Sequence, residues 1–215
     1  MKNLFLTVVL IIAASSAFSQ SDPKAIELLQ TVSSKLSAYK SIQVEFRFYV
    51  ESLQDGSRDQ FSGKALYRGD RYRMDLMGQV VFSDGKTNWT YLKDAEEINI
   101  TDASETDGTV FNPQNVLNNF SQDYKCRWIS DKFENNRTLV EIDLYPVKIE
   151  GKKYSKLTLK VDKTKNQIYS IHYVGKDGVS YLVVIDKFVE NPVIADKDII
   201  FNSANFPNAE IIDMR

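Results

Sequence analysis

The sequence holds one cysteine and one histidine in 215 residues. A single cysteine excludes an internal disulfide, so stability rests on the hydrophobic core, and Cys126 reads as a buried thiol. The single histidine, His172, lies on the polar side of an alternating segment, where a surface or hydrogen-bonded structural role is expected. Neither HExxH nor a Cys/His cluster is present, and Asp102 to Gly108 lacks the acidic spacing of a calcium loop, so no metal site is expected. Without GxGxxG or GxxxxGK[ST] there is no phosphate-cradling loop, which excludes the common nucleotide-dependent enzymes. Asp94, Glu96 and Glu97 crowd a strand end and read as solvated charges. The expectation is a protein that is not an enzyme and takes no cofactor. Charge excess is missing too: 27 basic against 29 acidic residues leave a net charge of -2, with no basic field for nucleic acid or anionic lipid. After the first twenty residues no apolar run approaches the length of a membrane span.

Those first residues are the exception. Lys2 supplies a short positive segment, Leu4 to Ala14 an apolar stretch, and Ala17-Phe18-Ser19 small residues at a cleavage site. Residues 1–19 therefore read as a secretory signal, with the mature chain beginning at Gln20. No cysteine follows to accept a lipid, so export without lipidation is expected. Residues 20–215 show no repeat and no linker, which implies one domain, expected to be a monomer.

Asp22-Pro23 is an N-cap followed by a first-turn proline, and Ile26, Leu29, Val32, Leu36 and Tyr39 recur at helical spacing. From Ile42 the period becomes two, with Val44, Phe46, Phe48 and Val50 on one face. Turn chemistry then divides the chain into short strands near 60–68, 72–76, 80–83, 87–92 and 97–100. A polar break leads to a short helix opened by Asn112-Pro113 and carried by Val116, Leu117 and Phe120. Strands resume at 124–129, 138–145, 156–162, 167–174 and 179–188, with an Asn135-Asn136 turn between the first two. Some ten or eleven antiparallel strands with two helices predict a sheet curled into a barrel or half-barrel, closed on its open side by the helices. If the strands curl in common register, Phe46, Phe48, Tyr72, Met74, Trp89, Tyr91, Leu157, Leu159, Tyr181 and Val183 share the concave side. By pattern alone these residues fit a filled core and a cavity wall equally well. Four Asn-x-Ser/Thr triplets, at Asn88, Asn99, Asn119 and Asn136, read as incidental, since Asn88 lies inside a strand.

The stretch Ser83-Asp84-Gly85-Lys86-Thr87-Asn88-Trp89-Thr90-Tyr91 is a tight turn followed by a strand. It resembles the S-D-G-K-T-x-W-x-Y hairpin of the LolA family of periplasmic outer-membrane lipoprotein carriers. Gly63-x-x-x-Tyr67-Arg68 and a closing Phe201-x-x-x-x-Phe206-Pro207 with Glu210-Ile211-Ile212-Asp213 fall in the same order. The resemblance implies an incomplete antiparallel barrel under a helical lid, with an apolar cavity that takes the acyl chains of lipoproteins. It also implies a periplasmic shuttle working between an inner-membrane lipoprotein-releasing ABC transporter and an outer-membrane acceptor. A module of the same fold that senses lipid or lipoprotein without transporting it is the alternative. Family members often carry an Arg-Pro pair whose arginine latches the lid. Here the turn reads Tyr67-Arg68-Gly69-Asp70 without the proline, which makes Arg68 the candidate latch, with Arg71 and Arg73 as competitors.

Overall fold

The computed structural model describes residues 21–103, 117 and 119–215. The expected signal segment and most of the expected inserted helix lie outside them. Helix α1, Pro23–Ser37, starts where the sequence places it: Asp22 accepts a hydrogen bond from the Lys24 amide at 2.9 Å, and Pro23 occupies the first turn. Its buried stripe is Ala25, Leu28, Leu29 and Val32, flanked by half-buried Ile26 and Leu36.

Among the described residues the strands form one twelve-stranded sheet. Strands β1 (Ile42–Ser52), β2 (Arg58–Arg68), β3 (Arg71–Leu76), β4 (Gln79–Ser83), β5 (Thr87–Leu92) and β6 (Glu97–Asp102) run as an antiparallel meander. The single turn α2 (Phe120–Asp123) leads into β7 (Tyr124–Glu134), β8 (Arg137–Pro146), β9 (Tyr154–Asp162), β10 (Gln167–Gly175) and β11 (Val179–Glu190). The second meander returns so that β11 pairs antiparallel with β1, joining the two halves into one surface that does not close on itself. Asn135 and Asn136 both adopt left-handed backbone, φ 53° and 58°, the tight-turn conformation that the right-handed twist of a hairpin favours.

The twelfth strand was not anticipated. After β11 the chain becomes a strap over the outer face, containing the short turn α3 (Asp196–Ile199), and ends as β12 (Glu210–Asp213), parallel to β6. Four residues are too few to register as a strand in sequence, even behind the Pro207-Asn208 turn. At the opposite margin the Asp22 amide bonds the Cys126 carbonyl at 2.8 Å, fixing the entry of α1 against β7.

Two apolar layers result. The larger lies on the inner face, under α1, and includes Leu144, Leu157, Leu159, Ile171, Phe46, Phe48 and Leu117. Burying each such side chain contributes about 1.5–3 kcal/mol. The second lies outside, beneath the strap, around Val80, Phe82, Ile98 and Ile199.

Candidate functional site

Strand register assigns each side chain to a face, because residues directly opposite in a ladder point the same way. Starting from buried Val44, the row runs Val44–Ala65–Met74–Val81–Thr90–Asn99 across β1 to β6. In the other direction Phe48, Val183, Ile171, Leu159, Ile142 and Trp128 form one row from β1 to β7. Eight of the ten expected wall residues therefore share the inner face: Phe46, Phe48, Tyr72, Met74, Leu157, Leu159, Tyr181 and Val183. The first two, the two leucines and Val183 are buried in the inner cluster; Tyr72, Met74 and Tyr181 are half-buried against it.

Trp89 and Tyr91 depart from the expected common face. Phe82 pairs with Trp89, and Val80 with Tyr91, on the side opposite to Ser83, Asn88 and Thr90. Their rings meet the strap: Trp89 stacks on Phe201 at 5.3 Å, and Tyr91 lies 4.6 Å from Phe206. Phe82 contacts both phenylalanines edge-on, and the Arg73 guanidinium lies 5.3 Å from its ring centre. The SDGKTNWTY hairpin thus builds the outer layer with its aromatics and the inner face with Asn88 and Thr90.

An aromatic belt crosses the inner face. Phe61 neighbours Phe48 at 6.4 Å, Phe48 stacks on Tyr181 at 6.2 Å, Tyr181 on Tyr173 at 4.8 Å, and Tyr173 meets Tyr154 at 5.3 Å. Hydroxyls of Tyr154 and Tyr124 close the series at 2.8 Å. Phe61, Tyr173 and Tyr181 are half-buried, so the belt is a surface as well as a core element. Beside the belt, Gly63 makes room for Phe46: a Cβ there would sit 2.3 Å from the Phe46 ring. Where α1 leaves the sheet, Val32, Leu36, Tyr39, Ile168, Ile185 and Phe188 line a small apolar cleft. Burial raises the Tyr72 phenol above its ordinary value and pushes the Cys126 thiol up to about 11, so both are neutral at pH 7.

Arg68 does act as a tie, but from the outer face, which it shares with Leu66 and Arg73. It donates to the Ile194 carbonyl at 3.0 Å and to the Asp196 carboxylate. Arg73 donates to the Asp198 carbonyl at 3.5 Å and pairs with Asp75. The element held by these arginines is the C-terminal strap. The sequence signal for this arrangement was the closing Phe201/Phe206 pair, which needs an aromatic surface to cover.

His172 also lies outside, 3.0 Å from the Ser180 hydroxyl, with its pKa lowered by burial and by Lys156. On the same face the Asp143 carboxylate is saturated by Thr158, Lys156 and Tyr145. Among the described residues no group of His, Cys, Asp and Glu side chains is arranged to hold a metal ion. No described helix is long and apolar enough to cross a membrane.

Several solved structures share the architecture. An uncharacterized conserved protein of Thermus thermophilus matches 88% of this chain and 99% of its own, with a TM-score of 0.53 at 11% identity. The Mycobacterium tuberculosis lipoprotein LppX matches 81% and 99%, with a TM-score of 0.51 at 11% identity. A DUF1329 family protein of Desulfovibrio piger matches 86% and 100%, also with a TM-score of 0.51 at 11% identity. At this identity they speak for the fold alone. No curated protein matches the sequence. The family model for the outer membrane lipoprotein carrier protein LolA matches residues 16–140, more than half of the chain. With the half-open sheet and its inner apolar face, that match places the protein in a family: the chain belongs to the LolA-like family.

Proposed function

We propose that this protein is an extracytoplasmic carrier that holds the acyl chains of a lipoprotein against the inner face of its sheet and moves them between membranes. The observation that carries the reading is the half-buried apolar surface formed by Phe61, Met74, Leu76, Tyr173 and Tyr181, contiguous with the fully buried core. A packed core has no need to leave such a surface incompletely covered. Each methylene moved from water onto it contributes about 0.8 kcal/mol, so some eight methylenes contribute about 6 kcal/mol without covalent chemistry. Reversible hand-over requires that the bound state be favoured by only a few kcal/mol. Met74 suits this, because a flexible thioether conforms to chains of different shape. A lipoprotein-releasing transporter and an outer-membrane acceptor are the partners this role calls for. The wall residues proposed to touch the cargo are Tyr72, Met74 and Tyr181, with Phe46, Phe48, Leu157, Leu159 and Val183 forming the floor beneath them.

The test is displacement of an apolar fluorescent probe by palmitate, together with native mass spectrometry of protein purified from the periplasm. Saturable binding, lost in Met74→Lys and Phe61→Lys variants that keep a wild-type far-ultraviolet spectrum, is expected. A well-folded wild-type protein that binds neither probe nor lipid refutes the carrier role.

A further inference from the structure

Two of the four Asn-x-Ser/Thr triplets have a common placement that chance does not require. Asn88-Trp89-Thr90 lies on β5 and Asn99-Ile100-Thr101 on β6, and the strands pair Asn88 with Thr101 and Thr90 with Asn99. Trp89 and Ile100, the middle residues, face the outer layer; all four polar residues face inward. The inner row from Ile42 continues as Tyr67, Tyr72, Ser83, Asn88 and Thr101, just as the row from Val44 ends in Thr90 and Asn99. Both rows are apolar or aromatic over β1 to β3 and become polar over β5 and β6. Neither contains a charged side chain; the adjacent inner row, Leu76, Gln79, Leu92 and Glu97, ends in a half-buried carboxylate.

This wall is not a solvated margin. Asn88 is only 2% exposed and Ser83 3%, while Thr90, Asn99 and Thr101 are half-buried. Ser83 accepts a hydrogen bond from the Gly85 amide, and Tyr72 reaches Asn88 at 3.5 Å. Thr90, Asn99 and Thr101 make no side-chain hydrogen bond among the described residues. Half-exposed hydroxyl and amide groups without a protein partner are free to exchange a water for a hydrogen-bonding ligand.

Building on the carrier reading, we infer that the β4–β6 part of the inner face binds the headgroup of the cargo amphiphile, and that this headgroup is uncharged and rich in hydroxyls, of the glycosyl type. Hydroxyl and carboxamide groups both donate and accept, which suits sugar hydroxyls. A carboxylate lying over the same wall meets no countercharge and is repelled by Glu97, whereas a quaternary ammonium reaches Glu97 but satisfies none of the hydroxyl and carboxamide groups of the two rows. The acyl chain then extends toward Met74 and the aromatic belt, as the polarity change along the rows directs.

The experiment measures binding of three twelve-carbon probes below their micellar concentrations: dodecyl maltoside, laurate and dodecyltrimethylammonium. At least a tenfold preference for the maltoside is expected. The double variant Thr90→Val, Asn99→Leu is expected to lose that preference and keep laurate affinity within twofold. Thr90→Ser, which retains the hydroxyl, is expected to keep it, which guards against a mere folding defect. Laurate binding with no preference for the sugar, or a preference that survives the double variant, overturns the headgroup assignment and leaves acyl carriage standing. Failure of all three probes to bind overturns both.

Discussion

Trp89 and Phe201 stack with their planes 9° apart, on the side of the sheet that faces away from Phe46 and Phe48. The tryptophan of the SDGKTNWTY hairpin is thereby a structural anchor for the strap. Trp89→Ala is expected to lower unfolding free energy by about 2–4 kcal/mol, somewhat less than for a fully buried tryptophan because Trp89 is half-buried. Binding of an apolar probe at a temperature where the variant is folded should be unchanged. Weakened binding with stability intact would place Trp89 in contact with cargo.

Gly63 and Phe46 are a second coupled pair. Gly63→Ala drives a methyl to within 2.3 Å of the Phe46 ring, and the ring is itself buried in the inner layer. A loss of about 1–3 kcal/mol is expected by urea unfolding. Combining it with Phe46→Leu should cost less than the sum of the two single changes, because the shorter side chain removes the clash.

Arg68→Met keeps most of the stem and deletes the bonds to Ile194 and Asp196. The global loss should be about 1 kcal/mol, as for a partly exposed charged hydrogen bond. Faster amide exchange should be confined to the strap around residues 194–200. Exchange accelerated instead in α1 would restore the lid as the element that Arg68 holds.

Asp84 shapes the turn before β5: its carboxylate accepts from the Lys86 and Thr87 amides, and these bonds hold its pKa below the usual 3.8. A group with a depressed folded pKa adds stability that is fully present above its unfolded pKa and lost as pH falls through the folded value. Wild-type protein should therefore lose more stability than Asp84→Asn does as pH falls from about 5 to about 3. Parallel pH profiles for the two proteins would show that the charge of Asp84 is irrelevant to the turn.

Much of this was legible beforehand. Eleven strands, the first helix and its cap, and the Asn135-Asn136 turn follow from period and turn chemistry, because each leaves a local mark. The faces of β4 to β6 did not follow. Alternation shows that Trp89 and Tyr91 share a side but not which side is inside, and both sides of β5 are at least half-buried. What decides is the strap, whose phenylalanines arrive far later in the chain. Hydrophobicity misled there because the apolar side of the sheet changes face between β3 and β4, so the oily pattern on β5 marks the outside. The role of Arg68 was misjudged for the same reason: its partner is a tertiary neighbour that no spacing announces.

The two margins of the sheet end differently from its interior. An open sheet of this width would present strips of unpaired amides and carbonyls to any neighbouring chain, the usual route to edge-to-edge aggregation. Here one margin is the four-residue strand β12, a very short edge, and at the other residues 21 and 22 bond the start of β7 through Cys126. Beyond that point β7 carries Arg127, Asp131, Lys132 and Glu134, charges that discourage a second strand from docking. A protein with an open apolar inner surface has, in this way, made its borders unwelcoming to other copies of itself.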